Sequence, residues 1–167
     1  MTHSRNMQRF GIALLLAGTL AWAQGGATQT LCGALKPFKG WQTEQCDAIE
    51  MADPMGGDMI IVSQVSVQKD KTVNLSIVTG SRAQMAQAQF QRGYALENDK
   101  MLMKTMRVDG FPVSVTYDKT RNQGGLTVQL SKRAILVLTF EGMSWQEALE
   151  LLKQEDWKAL RKEVDAI

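Results

Sequence analysis

The sequence predicts an α+β domain whose antiparallel sheet, an N-terminal hairpin plus a four-strand meander, packs with two main helices. Two observations predict the sheet: segments rich in β-branched and apolar residues recur along the chain, and short polar turns separate them. A third predicts the helices, because two segments of good helix formers each begin with Ser followed three residues later by Gln or Glu. Strands joined by short turns pair antiparallel, which leaves the helices to pack on the sheet.

The strands are predicted over six β-rich segments, at 59–67, 72–79, 101–108, 111–118, 126–130 and 134–142. Asp109-Gly110 lies between two of them and accepts the positive φ angles that a type I′ hairpin needs. The segment 134–142 is apolar at successive positions, which is typical of a central strand covered on both sides.

The helices are predicted from capping patterns and apolar stripes. Ser81 and Gln84 match a capping box, and Met85 and Ala88 fall near one stripe of the helix that follows. Ser144 and Glu147 repeat the capping pattern at the C-terminal helix. Its apolar stripe extends past Asp156, as one helix or two: Trp145, Ala148, Leu151, Leu152, Trp157, Leu160 and Val164.

The first residues have the form of an export signal. Arg5 and Arg9 precede the apolar run FGIALLLAGTLAWA, and Ala21-Trp22-Ala23 has the small residues that signal peptidase requires. We therefore predict a signal peptide over 1–23, a disulfide-closed loop and acidic turn segment over 24–58, and an α+β domain over 59–167 that forms one domain with 24–58. Leu31 before Cys32 argues against a lipid anchor, so the predicted location is the periplasm or the cell exterior.

Charge and composition exclude several function classes once the predicted signal peptide, here called the leader, is removed. The chain has 19 Lys and Arg, of which Arg5 and Arg9 lie in the leader, so 17 remain against 17 Asp and Glu. A net charge of zero argues against nucleic-acid binding, and no second apolar segment predicts a membrane span after cleavage. The only histidine, His3, is lost with the leader. The predicted mature chain therefore lacks the imidazole of the common hydrolase triads and zinc sites, and we expect no enzyme and no cofactor.

Cys32 and Cys46 are the only cysteines, and an oxidising compartment predicts a structural disulfide between them. In the chain-entropy model, a disulfide that closes a loop of about 15 residues stabilises the folded state by roughly 3 kcal/mol. A redox pair is the alternative, but the spacing is far from Cys-x-x-Cys.

An acidic stretch without Lys or Arg runs between Lys39 and Lys69 and contains Glu44, Asp47, Glu50, Asp53 and Asp58. A calcium site or a glycosidase-like acid pair is one interpretation, although the spacing does not match the EF-hand calcium loop. The favoured interpretation is a solvated acidic loop that pairs with one or more of four basic residues, Arg82, Arg92, Lys104 or Arg107.

Met51, Met55 and Met59 recur every four residues within MADPMGGDM and are candidate ligands for copper(I), which thioethers select. Pro54, Gly56 and Gly57 disfavour a helix here, since Pro costs about 3 and each Gly about 1 kcal/mol relative to Ala. Asp53 to Gly56 has the signature of a type I turn leading into a strand, and packing is the favoured role of these side chains.

A second group of methionines occupies a predicted strand. Alternation places Met101 and Met103 on one face and Met106 on the other, so the three cannot chelate one ion. They form an adaptable surface for a partner or a small apolar ligand, or they fill the core and the sheet edge, which is favoured.

The order of elements resembles small exported proteins of the PsbP-like α/β/α sandwich type. The stretches PMGG, DGFPVSVTYDK and EGMSW are also similar to a group of uncharacterised small bacterial periplasmic proteins. The resemblance implies an assembly or accessory factor and brings no catalytic residue. We expect a non-enzymatic exported protein that binds an envelope protein or a small ligand. The alternatives are a copper(I)-handling protein and, less favoured, a carboxylate-based hydrolase.

Overall fold

The computed structural model describes residues 26–167, so the predicted signal peptide lies outside the described residues. Within them, four helices and nine strands follow one another in this order: α1 Gly26–Ala34, β1 Gln42–Thr43, β2 Asp47–Ala52, β3 Asp58–Gln68, β4 Lys71–Thr79, α2 Ser81–Arg92, β5 Ala95–Glu97, β6 Met101–Val108, β7 Phe111–Asp118, β8 Gln123–Gln129, β9 Ala134–Glu141, α3 Trp145–Leu152 and α4 Trp157–Asp165. No helix in this part of the chain is both long and apolar enough to cross a bilayer.

The strands form one antiparallel sheet, which confirms the predicted α+β fold class. Their order is β1-β3-β4-β9-β8-β7-β6-β5, and β2 pairs with β3 beside β1. The predicted hairpin is β3–β4 and the predicted meander is β6–β9. The two units join where β4 pairs with β9, from Thr72 opposite Glu141 to Thr79 opposite Ala134.

The core lies between one face of the sheet and three helices, α1, α3 and α4. A row of fully buried side chains crosses four neighbouring strands at Leu75, Leu138, Leu126 and Val115. Trp157 of α4 packs edge-on against Phe111 of β7, with ring centroids 5.7 Å apart. Because side chains alternate along a strand, helix α2 packs against the opposite face, where Ala83 and Ile135 are buried outside that core.

The segment 24–58 was predicted as a disulfide-closed loop and acidic turn segment, and its helix and strands were not predicted. It contains α1 and the strands β1 and β2. The α1 sequence GATQTLCGA has a weak helix propensity, so burial of Leu31 and the bond from Cys32 stabilise a helix that local preference does not predict.

Helix α2 begins at Ser81 as predicted, but its predicted capping box and apolar stripe are wrong. The N-cap is Gly80, no side chain caps the helix from within, and Ser81 is itself buried. Met85 and Ala88 are exposed, whereas Ala83 is buried and Phe90 is half-buried. The stripe that contacts the sheet therefore runs through Ala83 and Phe90, seven residues apart on one helical face.

Other local predictions are confirmed. Ser144 and Glu147 form a complete capping box at α3, with the hydroxyl accepting from the Glu147 N–H. Asp109 and Gly110 both have positive φ, at 50° and 84°, as a type I′ turn requires. Strand β9 is central, but its second face is buried only at Ile135 and is exposed at Thr139, because α2 is too short to cover the whole face.

Candidate functional site

The outer edge of β2 is the most exposed apolar feature of the sheet. Within residues 26–167, β2 has a strand partner on one side only, and five of its six residues are exposed. Ile49 is 54 % exposed and Met51 is 42 % exposed. These two side chains lie on the same face because they are two residues apart on a strand. An unpaired edge with apolar side chains is a surface that can accept another strand.

The same edge is acidic. Glu44, Asp47, Glu50 and Asp58 are all exposed around β2, and residues 40–68 contain no Lys or Arg. The predicted pairing of this stretch with Arg82, Arg92, Lys104 or Arg107 is wrong for the described residues, where none of the ion pairs includes an acidic group of this stretch. Its negative charge is therefore not neutralised by an ion pair within the described residues.

Asp53 is the exception among these acidic residues, since it is buried rather than solvated. Its carboxylate accepts hydrogen bonds from the Met55 N–H at 2.9 Å and from the backbone N–H of Ser81. These bonds, followed by one from the Ser81 hydroxyl and by the charge of Arg133, hold the pKa of Asp53 below its usual range despite burial. Asp53 thus supplies the cap that α2 lacks in its own sequence.

Asp53 also begins the turn that leads into β3. The Gly56 N–H donates to the Asp53 carbonyl at 2.9 Å, and the Asp53 N–H donates to the Gly57 carbonyl at the same distance. The predicted turn over residues 53–56 is therefore present. Gly80 has a φ of 83°, and a Cβ there would strike the Asp53 carboxylate, so the close approach of the turn to α2 depends on glycine.

The three candidate methionine ligands lie in one hairpin. Met51 and Met59 are register partners on β2 and β3, so their side chains share a face. Met59 is 5 % exposed, whereas Met55 in the connecting turn is 75 % exposed. Copper binding by these residues stays a prediction. No group of three or more His, Cys, Asp or Glu side chains in residues 26–167 could hold a metal ion.

A disulfide bond joins α1 to the residue before β2, and a pair of hydrogen bonds joins the segment after α1 to the segment after α3. Cys32 of α1 is bonded to Cys46 just before β2, which confirms the predicted disulfide. The backbone N–H of Lys36 donates to both carboxylate oxygens of Glu155, at 3.3 Å each, across the junction between α3 and α4. Burial raises the pKa of Glu155 to about 7, and the bond from Lys36 opposes that shift.

The other methionine group is partly accounted for by packing. Met106 packs against the core, while Met101 on the other face of β6 is exposed.

Sequence reasoning missed β2 as an edge strand and missed Ile49 entirely. The signal that could have found them is the pair Ile49 and Met51 at strand spacing within DAIEMA.

Comparison with known proteins identifies no relative: no family model, no curated protein and no solved structure matches this chain. The PsbP-like resemblance accordingly stays a prediction.

Proposed function

We propose that this protein is a non-enzymatic exported binding protein that captures an extended, basic segment of an envelope protein along the outer edge of β2. The observation that carries the proposal is this free edge, with Ile49 and Met51 exposed on one face. A partner strand added to such an edge gains backbone hydrogen bonds, and its alternate side chains contact the exposed apolar groups.

Charge supports a basic partner. Asp47 lies on the same face of β2 as Ile49, and Glu50 lies on the opposite face, so a paired strand would meet a carboxylate on either side. Lys or Arg at alternating positions of the partner would complement these groups, whereas Asp or Glu there would be repelled.

Strand β5, at the far edge of the sheet, offers a matched control. It has three residues, too few for a long strand pairing, yet Leu96 is 52 % exposed and so presents nearly the same apolar exposure as Ile49. Substitutions at Ile49 and Leu96 remove similar exposed surface, and only the first removes it from the proposed site.

The proposal is tested by calorimetry with a synthetic strand-forming peptide of alternating Val and Lys residues. We expect binding that weakens by about ten-fold or more in Ile49→Ser and by less than about two-fold in Leu96→Ser. A peptide with Glu in place of Lys, and a Val–Lys peptide N-methylated at every backbone amide, should both fail to bind. Equal losses in the two variants, or equal binding of the Glu peptide, would contradict the proposal.

A second candidate function is copper(I) handling, which the register of Met51 opposite Met59 favours. Soft thioethers select copper(I), and Met55 in the turn is free to close over an ion held by the cross-strand pair. Met85 is 71 % exposed on α2 and serves as a control for an exposed methionine outside the hairpin.

Copper(I) is tested by competition with a chelator of known affinity. The candidate function requires a submicromolar dissociation constant that is lost in Met55→Leu and retained in Met85→Leu. Weaker binding, or equal binding by the two variants, contradicts it.

A further inference from the structure

A cavity of about 620 Å³ lies at one end of the sheet and reaches β2 at Glu50, on the face opposite Ile49 and Met51. Its apolar lining includes Ile60 of β3 and Val164 of α4, both part of the core cluster. The volume falls within the range of about 300–1,000 Å³ that is typical of small-molecule sites. The feature that distinguishes this cavity is the charge of the residues around it.

Basic and acidic side chains line the cavity from different strands. Lys132 and Arg133 come from the turn before β9, whereas Glu50 and Asp58 come from β2 and the start of β3. In the described part of the chain, none of these four forms an ion pair with another. Arg161 and Asp165 of α4 also line the cavity and pair with each other at 3.9 Å, so the charges left for a ligand are those of the other four residues.

The order and register of the strands explain why the two basic residues lie apart from the two acidic residues. The Ile60 N–H donates to the Thr79 hydroxyl at 2.9 Å, and Thr79 is the register partner of Ala134. Strand β9 is two strands away from β3 and three away from β2, which places its backbone about 10 Å from that of β3 and about 14 Å from that of β2 at strand spacings of about 4.8 Å. A gap of this size is too wide for short acidic side chains to close, but a ligand can span it.

We propose that this cavity binds a small zwitterion, a short peptide with free termini. Its carboxylate meets Lys132 and Arg133, its ammonium group meets Glu50 and Asp58, and an aliphatic side chain lies on Ile60 and Val164. A dipeptide reaches about 7 Å at about 3.5 Å per residue, and the protein side chains supply the remaining length. Arg suits a carboxylate because its guanidinium donates two parallel hydrogen bonds. This site shares Glu50 with the β2 strand but uses neither Ile49 nor Met51, so it does not require strand capture.

Calorimetry with Ala-Leu, its N-acetyl form and its C-terminal amide tests the proposal. We expect Ala-Leu to bind with a dissociation constant below about 1 mM, and each cap to weaken binding by about ten-fold. No detectable binding of Ala-Leu, or equal affinities of capped and free peptides, would overturn the proposal.

Two variants test the orientation. In Lys132→Gln the penalty of the C-terminal amide should largely disappear while the acetyl penalty remains, and in Glu50→Gln the reverse should hold. Lys158→Gln and Glu163→Gln on α4 change the same charges outside the cavity lining and should leave both penalties unchanged. If each cap weakened binding by the same factor in the variants as in the wild type, the termini would not face these residues, and the assignment would be overturned. Because Val–Lys peptide binding at Ile49 is measured separately, either result can fail alone.

Discussion

The two edges of the sheet expose similar apolar surface but are built differently. The β2 edge has six residues with Ile49 about half exposed, whereas the β5 edge has three residues with Leu96 equally exposed. The β2 edge is held by the Cys32–Cys46 bond and by turn contacts around Asp53, while β5 is held by an exposed ion pair between Lys119 and Glu97 at 2.8 Å. Natural sheets commonly protect an edge by making it short. The open edge of β2 is long and that of β5 is short, and this difference supports the proposed capture of a strand at β2.

Removing the disulfide should have the largest effect on the difference between the β2 edge and the β5 edge. The bond closes a loop of sequence separation 14, and loss of such a constraint costs about 3 kcal/mol of unfolding free energy. We expect Cys32→Ser/Cys46→Ser to lower the melting temperature and to speed amide exchange in β2. Exchange in β5 should remain close to wild type after correction for global stability. Equal acceleration at both edges would show that the bond does not anchor β2 specifically.

Glu155→Gln should have the next largest effect, and its effect should depend on pH. The native pKa of about 7 lies above the value of about 4.3 expected in the unfolded chain, so the native state holds the extra proton between these values. Stability from this group is fully present below about pH 4.3 and is lost as the pH rises through about 7, by an amount on the order of 1–3 kcal/mol.

The measurement is the melting temperature of Glu155→Gln minus that of wild type across pH 4–8. This difference should rise with pH, because Gln keeps an acceptor for Lys36 without a charge to bury. Glu163→Gln on α4 serves as the control and should give a flat difference. A flat line for Glu155→Gln would show that its carboxylate is not held protonated.

Asp53→Ala should have a smaller effect, confined to the β2–β3 turn and the start of α2. The lowered pKa of Asp53 means that its contribution is present above the unfolded value and is lost as the pH falls through the native one. We expect faster amide exchange at Ser81 at pH 7, and a difference from wild type that shrinks in acid. Asp58→Ala, an exposed neighbour in the same hairpin, should leave exchange at Ser81 unchanged.

Lys119→Ala should have the smallest effect and should sharpen the contrast between the edges. Its partner Glu97 is mostly exposed, and exposed ion pairs contribute little to stability. The expected change in melting temperature is less than about 2 °C. A larger change that high salt does not diminish would show that the β5 edge depends on more than this pair.

The elements that the sequence predicted correctly are those whose signals are local. Segments rich in β-branched and apolar residues defined β3, β4 and β6–β9, and Asp109-Gly110 defined the turn between β6 and β7. Strand β2 was missed because its apolar side chains face solvent, so no buried face marks it. The register of Met51 with Met59 depends on that strand and could not be inferred without it.

The polar anchors could not be predicted because their partners are distant in sequence. Asp53 accepts from Ser81, 28 residues away, and Glu155 accepts from Lys36, 119 residues away. For the first contact, local patterns suggested a solvated acidic loop for Asp53 and a self-contained capping box for Ser81, and no pattern assigned a role to Glu155. Tertiary contacts replaced both, since a buried carboxylate must find donors wherever the fold brings them.

The pairing of β4 with β9 has a consequence for how the chain folds. Leu75 and Leu138 are neighbours in the sheet although more than sixty residues separate them along the chain. Contacts of this range slow the search for the native topology, because the entropy of closing a long loop is lost before the contact stabilises it. The inner side of the β3–β4 hairpin must therefore wait for one of the last strands to be synthesised, and during that wait it can pair with the wrong neighbour and aggregate.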